Sequence, residues 1–314
     1  GMKKMKRNLR FYFALMFARG TALVLKLIGR KGTSMPGSWA IILCPDFIGR
    51  MPKPKKIIGI TGTNGKTTVS NMIEDVLEDS GIEFMCNRSG TNVATGVAST
   101  LIANSHFFGK PKCDLAVFEL DERSAPNIYP YMQPDIVLCT NIFRDSYKRN
   151  AHAEFILDIL NKEIPKGTKL VLNGDDPLCS SIKPENDRVY FGIDHLDTDK
   201  KECDNIVNDV PACPKCHGPL VHDIVRYHHI GRVHCENCGY RSPDIDYLAT
   251  DIDTKDMKMN VAVGGKKSEY PLLNSTNINI YNALAAIATL REFGLSEEKI
   301  RNSMEKMGIS ETRY

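Results

Sequence analysis

The chain has 314 residues, 42% hydrophobic and 25% charged, with a net charge of +3. That length supports a sizeable core and two structural units, and the composition is that of an ordinary globular protein. So small a net charge argues against a general nucleic-acid binder, and nucleic acid is not expected as a partner.

The charge is unevenly spread. Nine Lys or Arg residues precede the first acid, Asp46; from Asp46 onward, 32 basic residues face 38 acidic ones, a balance of −6. The basic opening runs into "NLRFYFALMFARGTALVLKLIGRK" (8–31), which Arg10, Arg19 and Lys26 interrupt. A central Arg costs about 2.5–3.5 kcal/mol on insertion, and no apolar run approaches ~18 residues, so a transmembrane helix is not expected. A signal-peptide cleavage pattern is also lacking. Arg19 and Lys26, seven apart, share one helical face and leave a broad apolar remainder. Two readings fit: a helix packed on the domain that follows, and a helix lying on a membrane surface. The stretch 32–56 is rich in Pro and Gly and reads as a linker, so residues 1–54 form an N-terminal helical segment and linker.

From residue 55, strand-like and helix-like stretches alternate. "KKIIGIT" (55–61) has the β-branched, continuously apolar character of a buried parallel strand. "KTTVSNMIEDVLEDSG" (66–81) follows with helical periodicity and a closing glycine. A helix within 92–104, strands at 114–120 and 135–141, a helix near 151–161 and strands at 169–173 and 188–193 continue the rhythm. The pattern predicts an α/β fold with a mostly parallel sheet and helices on both faces. Residues 202–243 interrupt it with two Cys pairs. Segments at 246–253, 257–263 and 267–273 look antiparallel, and helices are expected near 277–293 and 296–307.

Between the first strand and its helix stands "TGTNGKTT" (61–68). Gly62 and Gly65 let backbone N–H groups crowd round phosphates, and the helix starting at Lys66 directs its positive end at them. Lys66 would neutralise the β/γ-phosphates, and the Thr67 hydroxyl could ligate Mg²⁺. Thr63, Asn64 and Thr68 complete the predicted ATP-binding loop. The strict phosphate-loop pattern would place Gly at position 60, where Ile60 stands; Gly59 is one residue early.

Cys213-x2-Cys216 and Cys235-x2-Cys238 are 18 residues apart, within the spacing for a zinc ribbon. Four thiolates close a tetrahedral Zn²⁺ shell, which predicts a structural ion and not a catalytic one. Two disulfides are the alternative, though the absence of a secretory signal favours reduced thiols. His217, His222, His228, His229 and His234 lie in or beside the ribbon, and each could displace a Cys.

The loop "GITGTNGKTT" resembles that of the Mur ligase family, which activates a carboxylate as an acyl phosphate for attack by an amine. Further motifs extend the resemblance over 55–314. "FELDERSAPNI" is similar to the family strand ending in a Mg²⁺-binding Glu, here Glu119. In "CTNIFRD", Asn141 and Asp145 match a family pattern whose His is replaced by Ser146. "LNGDDP" matches a recurrent loop. "NINIYNALAAIATLREFG" resembles the family's nucleotide-contacting helix, with Asn279 and Asn282 at its Asn positions and Ile278 at its His. Arg313 could supply a phosphate-contacting Arg. Each also has a plainer reading: Glu119 as a solvated strand end, Asn279 as a helix cap, Asn282 as a first-turn polar group, Arg313 as a surface cation.

Within that family, the four-Cys insertion, "RSGTNVATGVASTLI" and "TNIFRDSYKRN" look like the MurT branch, the ATP-using subunits of lipid II isoglutaminyl synthase. The resemblance implies Lys66 and Glu119 as catalytic groups, ATP and Mg²⁺ with a structural Zn²⁺, and a glutamine amidotransferase (GatD-like) partner. It also implies lipid II as substrate, at a cytoplasmic site with transient membrane proximity. Mur-type ligases continue into a further domain, so the sequence is expected to be a fragment that binds ATP but does not amidate alone. Two other readings remain: a folylpolyglutamate-synthase-like ligase, and an ATP-bound regulatory or assembly module.

Overall fold

A computed structural model describes residues 5–30, 34–87, 92–143, 153–201, 210 and 212–309. Asp145, Ser146 and Arg313 lie outside the described residues. Two helices, α1 (Leu9–Leu27) and α2 (Met35–Leu43), and a single turn, α3 (Phe47–Arg50), come first. The stretch read as a linker is thus largely helical. Pro36 stands in the first turn of α2, where a missing N–H costs nothing. Gly37 packs so tightly on the Thr95 backbone that a Cβ would lie 1.9 Å from its carbonyl oxygen. Both residues serve helix start and close packing instead of breaking the chain.

The β/α rhythm then unfolds as β1 (Lys56–Thr61), α4 (Lys66–Asp79), β2 (Phe84–Cys86), α5 (Ala94–Ala103), β3 (Leu115–Glu119) and α6 (Ala125–Ile128). Next are β4 (Ile136–Cys139), α7 (Ala153–Glu163), β5 (Lys169–Asn173) and β6 (Arg188–Ile193). A separate hairpin pairs β7 (Val221–Tyr227) with β8 (Ile230–His234). The strands β9 (Tyr247–Asp253), β10 (Lys258–Val263) and β11 (Lys266–Pro271) precede α8 (Asn277–Phe293) and α9 (Glu297–Ile309).

Nine strands form one sheet in the order β11-β10-β9-β6-β5-β4-β1-β3-β2. Every pairing from β2 to β9 is parallel, and only β10 and β11 run antiparallel to their neighbours. The trio expected to be antiparallel therefore splits: β9 joins the parallel sheet beside β6 and turns antiparallel only towards β10. Successive residues alternate between two cores. Ile57, Val137 and Leu170 face one, with Phe11 of α1, Ala40 of α2, Val97 of α5 and Leu160 of α7. Ile58, Leu138 and Val171 face the other, with Ile73 of α4, Leu284 of α8 and Met304 of α9. Because β1 lies between β3 and β4, the loops after these three strands converge at one point, where ligands bind in open α/β sheets.

Candidate functional site

The loop after β1 is held open by two glycines in the left-handed region, Gly62 (φ 124°) and Gly65 (φ 83°). A Cβ on Gly62 would lie 2.1 Å from Thr140 Oγ1, and one on Gly65 would lie 2.4 Å from Asn282 Oδ1. No larger residue fits either place unless Thr140 or the Asn282 side chain shifts, and both glycines hold a backbone conformation that strains other residues. The loop is braced from β4's end: Thr63 N–H donates to the Asn141 carbonyl (2.9 Å). Asn64 N–H donates to Asn141 Oδ1 (3.0 Å), and Phe143 N–H to Thr63 Oγ1 (2.9 Å). Gly65 gives α4 no side-chain cap and no acid follows in its first turn, which leaves first-turn N–H groups for an anion. The residues thus fit a nucleotide phosphate.

Glu119, at the end of β3, reaches the same point. Its backbone is clasped by the Asn87 amide, which accepts from Glu119 N–H and donates to its carbonyl, both at 2.8 Å. Thr67 Oγ1 then donates to Glu119 Oε2 (3.1 Å), so the two predicted Mg²⁺ ligands meet across the loop. Burial raises the Glu119 carboxyl above its ordinary range, against the lowering effect of the Thr67 bond; the Glu74 charge adds to the rise. A carboxylate so poorly solvated gains most from a cation, and these oxygens suit Mg²⁺.

Sequence reading missed a third acid. Glu122, buried in the turn after β3, accepts at Oε1 from Gly62 N–H (2.6 Å), Thr61 Oγ1 (3.1 Å) and Lys66 Nζ (3.3 Å). Lys66 also donates to the Gly62 carbonyl. Glu122 therefore holds the groups that would meet phosphate. The signal was three residues past Glu119 in the same motif. Asn87 gave no signal, because its role is a local clasp across β2 and β3. Asn282 is buried, with its side chain against Gly65. Asn279 instead bonds the helix cap, its Nδ2 donating to Thr276 Oγ1 (2.8 Å).

The Cys residues also assemble. The Sγ atoms of Cys213, Cys216, Cys235 and Cys238 lie within 4.8 Å of one another, with 3.7 Å from Cys213 to Cys238 and 3.6 Å from Cys216 to Cys235. Zn–S bonds of ~2.3 Å in a tetrahedron require sulfurs ~3.8 Å apart, so the donor set fits zinc. The two turns repeat one design. The N–H four residues after the first Cys returns to its carbonyl, from His217 to Cys213 (2.9 Å) and from Gly239 to Cys235 (3.1 Å). That residue is left-handed in both, His217 at φ 58° and Gly239 at φ 70°. Backbone N–H groups of Lys215 and Gly218 point at Sγ atoms (3.4 Å each), as thiolates favour. No His joins the cluster among the described residues.

The hairpin above this centre plugs into the domain. Arg226, its side chain only 1% exposed, donates to Asp175 Oδ2 (2.7 Å), Asp199 Oδ1 (2.9 Å) and Tyr281 Oη (2.8 Å). Arg232 also faces Asp175, at 3.3 Å. The "LNGDDP" loop is thus the socket for the ribbon, and its two arginines point inward to it.

A profile of the Mur ligase middle domain matches residues 60–209. The MurT subunit of lipid II isoglutaminyl synthase (glutamine-hydrolyzing) from Staphylococcus aureus is 32% identical over 300 residues, 95% of this chain and 66% of the relative. Its Streptococcus pneumoniae counterpart is 34% identical with the same coverage. A pseudomurein peptide ligase type C from Methanothermus fervidus superposes with a TM-score of 0.66 at 26% identity, covering 83% of this chain and 51% of that one. The fold is that of a Mur-type α/β domain, and the chain belongs to the Mur ligase family. It spans 66% of the length of the MurT relatives it matches.

Proposed function

We propose that the chain is the ATP-using part of a glutamine-dependent ligase that amidates a peptidoglycan precursor, the α-carboxylate of D-isoglutamate in lipid II. The observation that carries this reading is a Mur-type phosphate loop and a four-Cys ribbon in one chain that aligns over 95% of its length with MurT subunits. In this scheme a carboxylate oxygen attacks the γ-phosphorus of ATP and ADP leaves; ammonia from a glutaminase partner then displaces phosphate from the acyl carbon. Lys66 exchanges Glu122 for the β/γ-phosphates, and the first-turn N–H groups of α4 hold the charge that builds on them. Thr67 and Glu119 would hold Mg²⁺, which supplies charge neutralisation between the phosphates. Asn282, and Asn279 and Arg313 as the family pattern suggests, would contact the nucleotide. Zinc held by the four cysteines would serve as a scaffold. The site would be cytoplasmic, facing the membrane that carries the lipid-linked substrate.

The test combines the full-length chain, a GatD-like glutaminase, ATP, Mg²⁺, lipid II and amide-¹⁵N glutamine. Mass spectrometry should find the label in the stem peptide and lose it when Lys66 becomes Ala. No label, with ATP still bound, would favour another acceptor or a regulatory module.

A further inference from the structure

Helix α1 is apolar on two opposite faces. Phe11, Ala14, Leu15 and Ala18 are buried in the core. Leu9, Phe13, Phe17, Val24 and Ile28 recur at intervals of four, four, seven and four, so they line the other face, and all five are exposed. Leu9 is 88% and Phe13 63% accessible. Helix α2 widens this face with Met35, Trp39 and Ile42, also exposed; the Trp39 ring meets Phe17 edge-on at 5.5 Å. Beside it, Arg19 grips the loop before Phe107 and Phe108 by donating to the Ser105 hydroxyl (3.0 Å) and the His106 carbonyl (2.6 Å). Those two phenylalanines are exposed as well.

The patch is framed by charge of one sign. Lys6, Arg7, Arg10, Lys26 and Arg30 are exposed at the ends and flanks of α1, and the sequence has no acid before Asp46. Asp46 is itself held by Arg50 at 2.6 Å. Two copies packed face to face would oppose like charges, which argues against self-association. No helix among the described residues is long and apolar enough to cross a membrane. Aromatic side chains ringed by Lys and Arg, on helices that lie flat, match the boundary between acyl chains and anionic headgroups.

We propose that the outer face of α1 and α2 docks on an anionic lipid bilayer, with Phe13, Phe17 and Trp39 entering the interface and the flanking cations meeting the headgroups. This docking does not depend on the amidation reading, and vesicles without lipid II test it separately. Trp39 is the single tryptophan of the sequence, so its emission reports the patch directly. With phosphatidylglycerol vesicles its emission should shift to the blue and the protein should co-sediment. Lys26→Glu with Arg30→Glu should weaken binding at least ~10-fold, since both cations would meet the anionic headgroups. Phe13→Glu with Phe17→Glu should abolish it while thermal unfolding and ATP binding stay unchanged, as both positions are solvent-facing. Phosphatidylcholine vesicles should bind several-fold more weakly. The proposal is overturned if wild type ignores phosphatidylglycerol vesicles, if either double variant binds them like wild type, or if the patch instead forms a dimer in solution without binding vesicles.

Discussion

Buried His229 places Nε2 3.2 Å from Oδ1 of buried Asp176, and through that carboxylate the four-Cys ribbon touches the phosphate loop. Asp176 Oδ2 accepts from Ile142 N–H (2.7 Å), the next residue donates to Thr63 Oγ1, and Asn141 braces Asn64. The His229 ring also packs on Phe143 at 4.7 Å between centroids. Ribbon, socket and phosphate loop therefore form one continuous set of contacts.

Replacing His229 with Ala should break this line at its centre. It removes a buried ring and a partner of a buried carboxylate, at a cost of about 2 kcal/mol in stability. Nucleotide affinity should fall by roughly 3–10-fold although no ATP contact is removed, an effect on the order of 1 kcal/mol. Thermal unfolding and calorimetric ATP titration measure the two separately.

Metal analysis should find about one zinc per chain, in line with a closed four-thiolate shell. Stripping it, or replacing Cys213 and Cys216 with Ser, frees the hairpin that carries Arg226 into its buried pocket. The unfolding temperature should drop by at least ~4 °C, and zinc added back should restore it only where the four Cys are intact.

Glu122 and Glu119 should respond in opposite ways. Glu122 competes with phosphate for Lys66 and the Gly62 N–H, so Glu122→Gln should tighten ATP binding by about 3–10-fold. Glu119→Gln should leave binding in EDTA unchanged and remove the gain that Mg²⁺ provides. Titrations with and without Mg²⁺ separate these outcomes.

His217 occupies a left-handed position that glycine fills in the second Cys turn, and among the described residues it is not part of the cluster. His217→Gly should therefore keep zinc and stabilise the ribbon by up to about 1 kcal/mol, read from chelator resistance.

Much of this was legible in the sequence because the signals were local. Gly62, Gly65 and Lys66 sit in one turn, and the two Cys pairs carry their own spacing. The strands expected at 169–173 and 188–193 form over Lys169–Asn173 and Arg188–Ile193, each around a short apolar stretch. What escaped was long-range. Pro36 and Gly37 looked like breakers because only the packing of α2 on Thr95 turns them into helix residues. Arg226 gave no local signal, because only the fold puts Asp175 against it. Glu122 was passed over because its partners, Gly62 and Lys66, come from 60 and 56 residues away.

The central claim is that a carboxylate is activated by phosphoryl transfer at the Lys66 loop. The most direct measurement uses lipid II whose isoglutamate α-carboxylate carries ¹⁸O, with the full-length chain, a GatD-like glutaminase, glutamine and ATP. The account predicts one ¹⁸O transferred to inorganic phosphate for each amide formed, and none with Lys66→Ala. Amide formation with ¹⁸O appearing in AMP, or with none in phosphate, would contradict it.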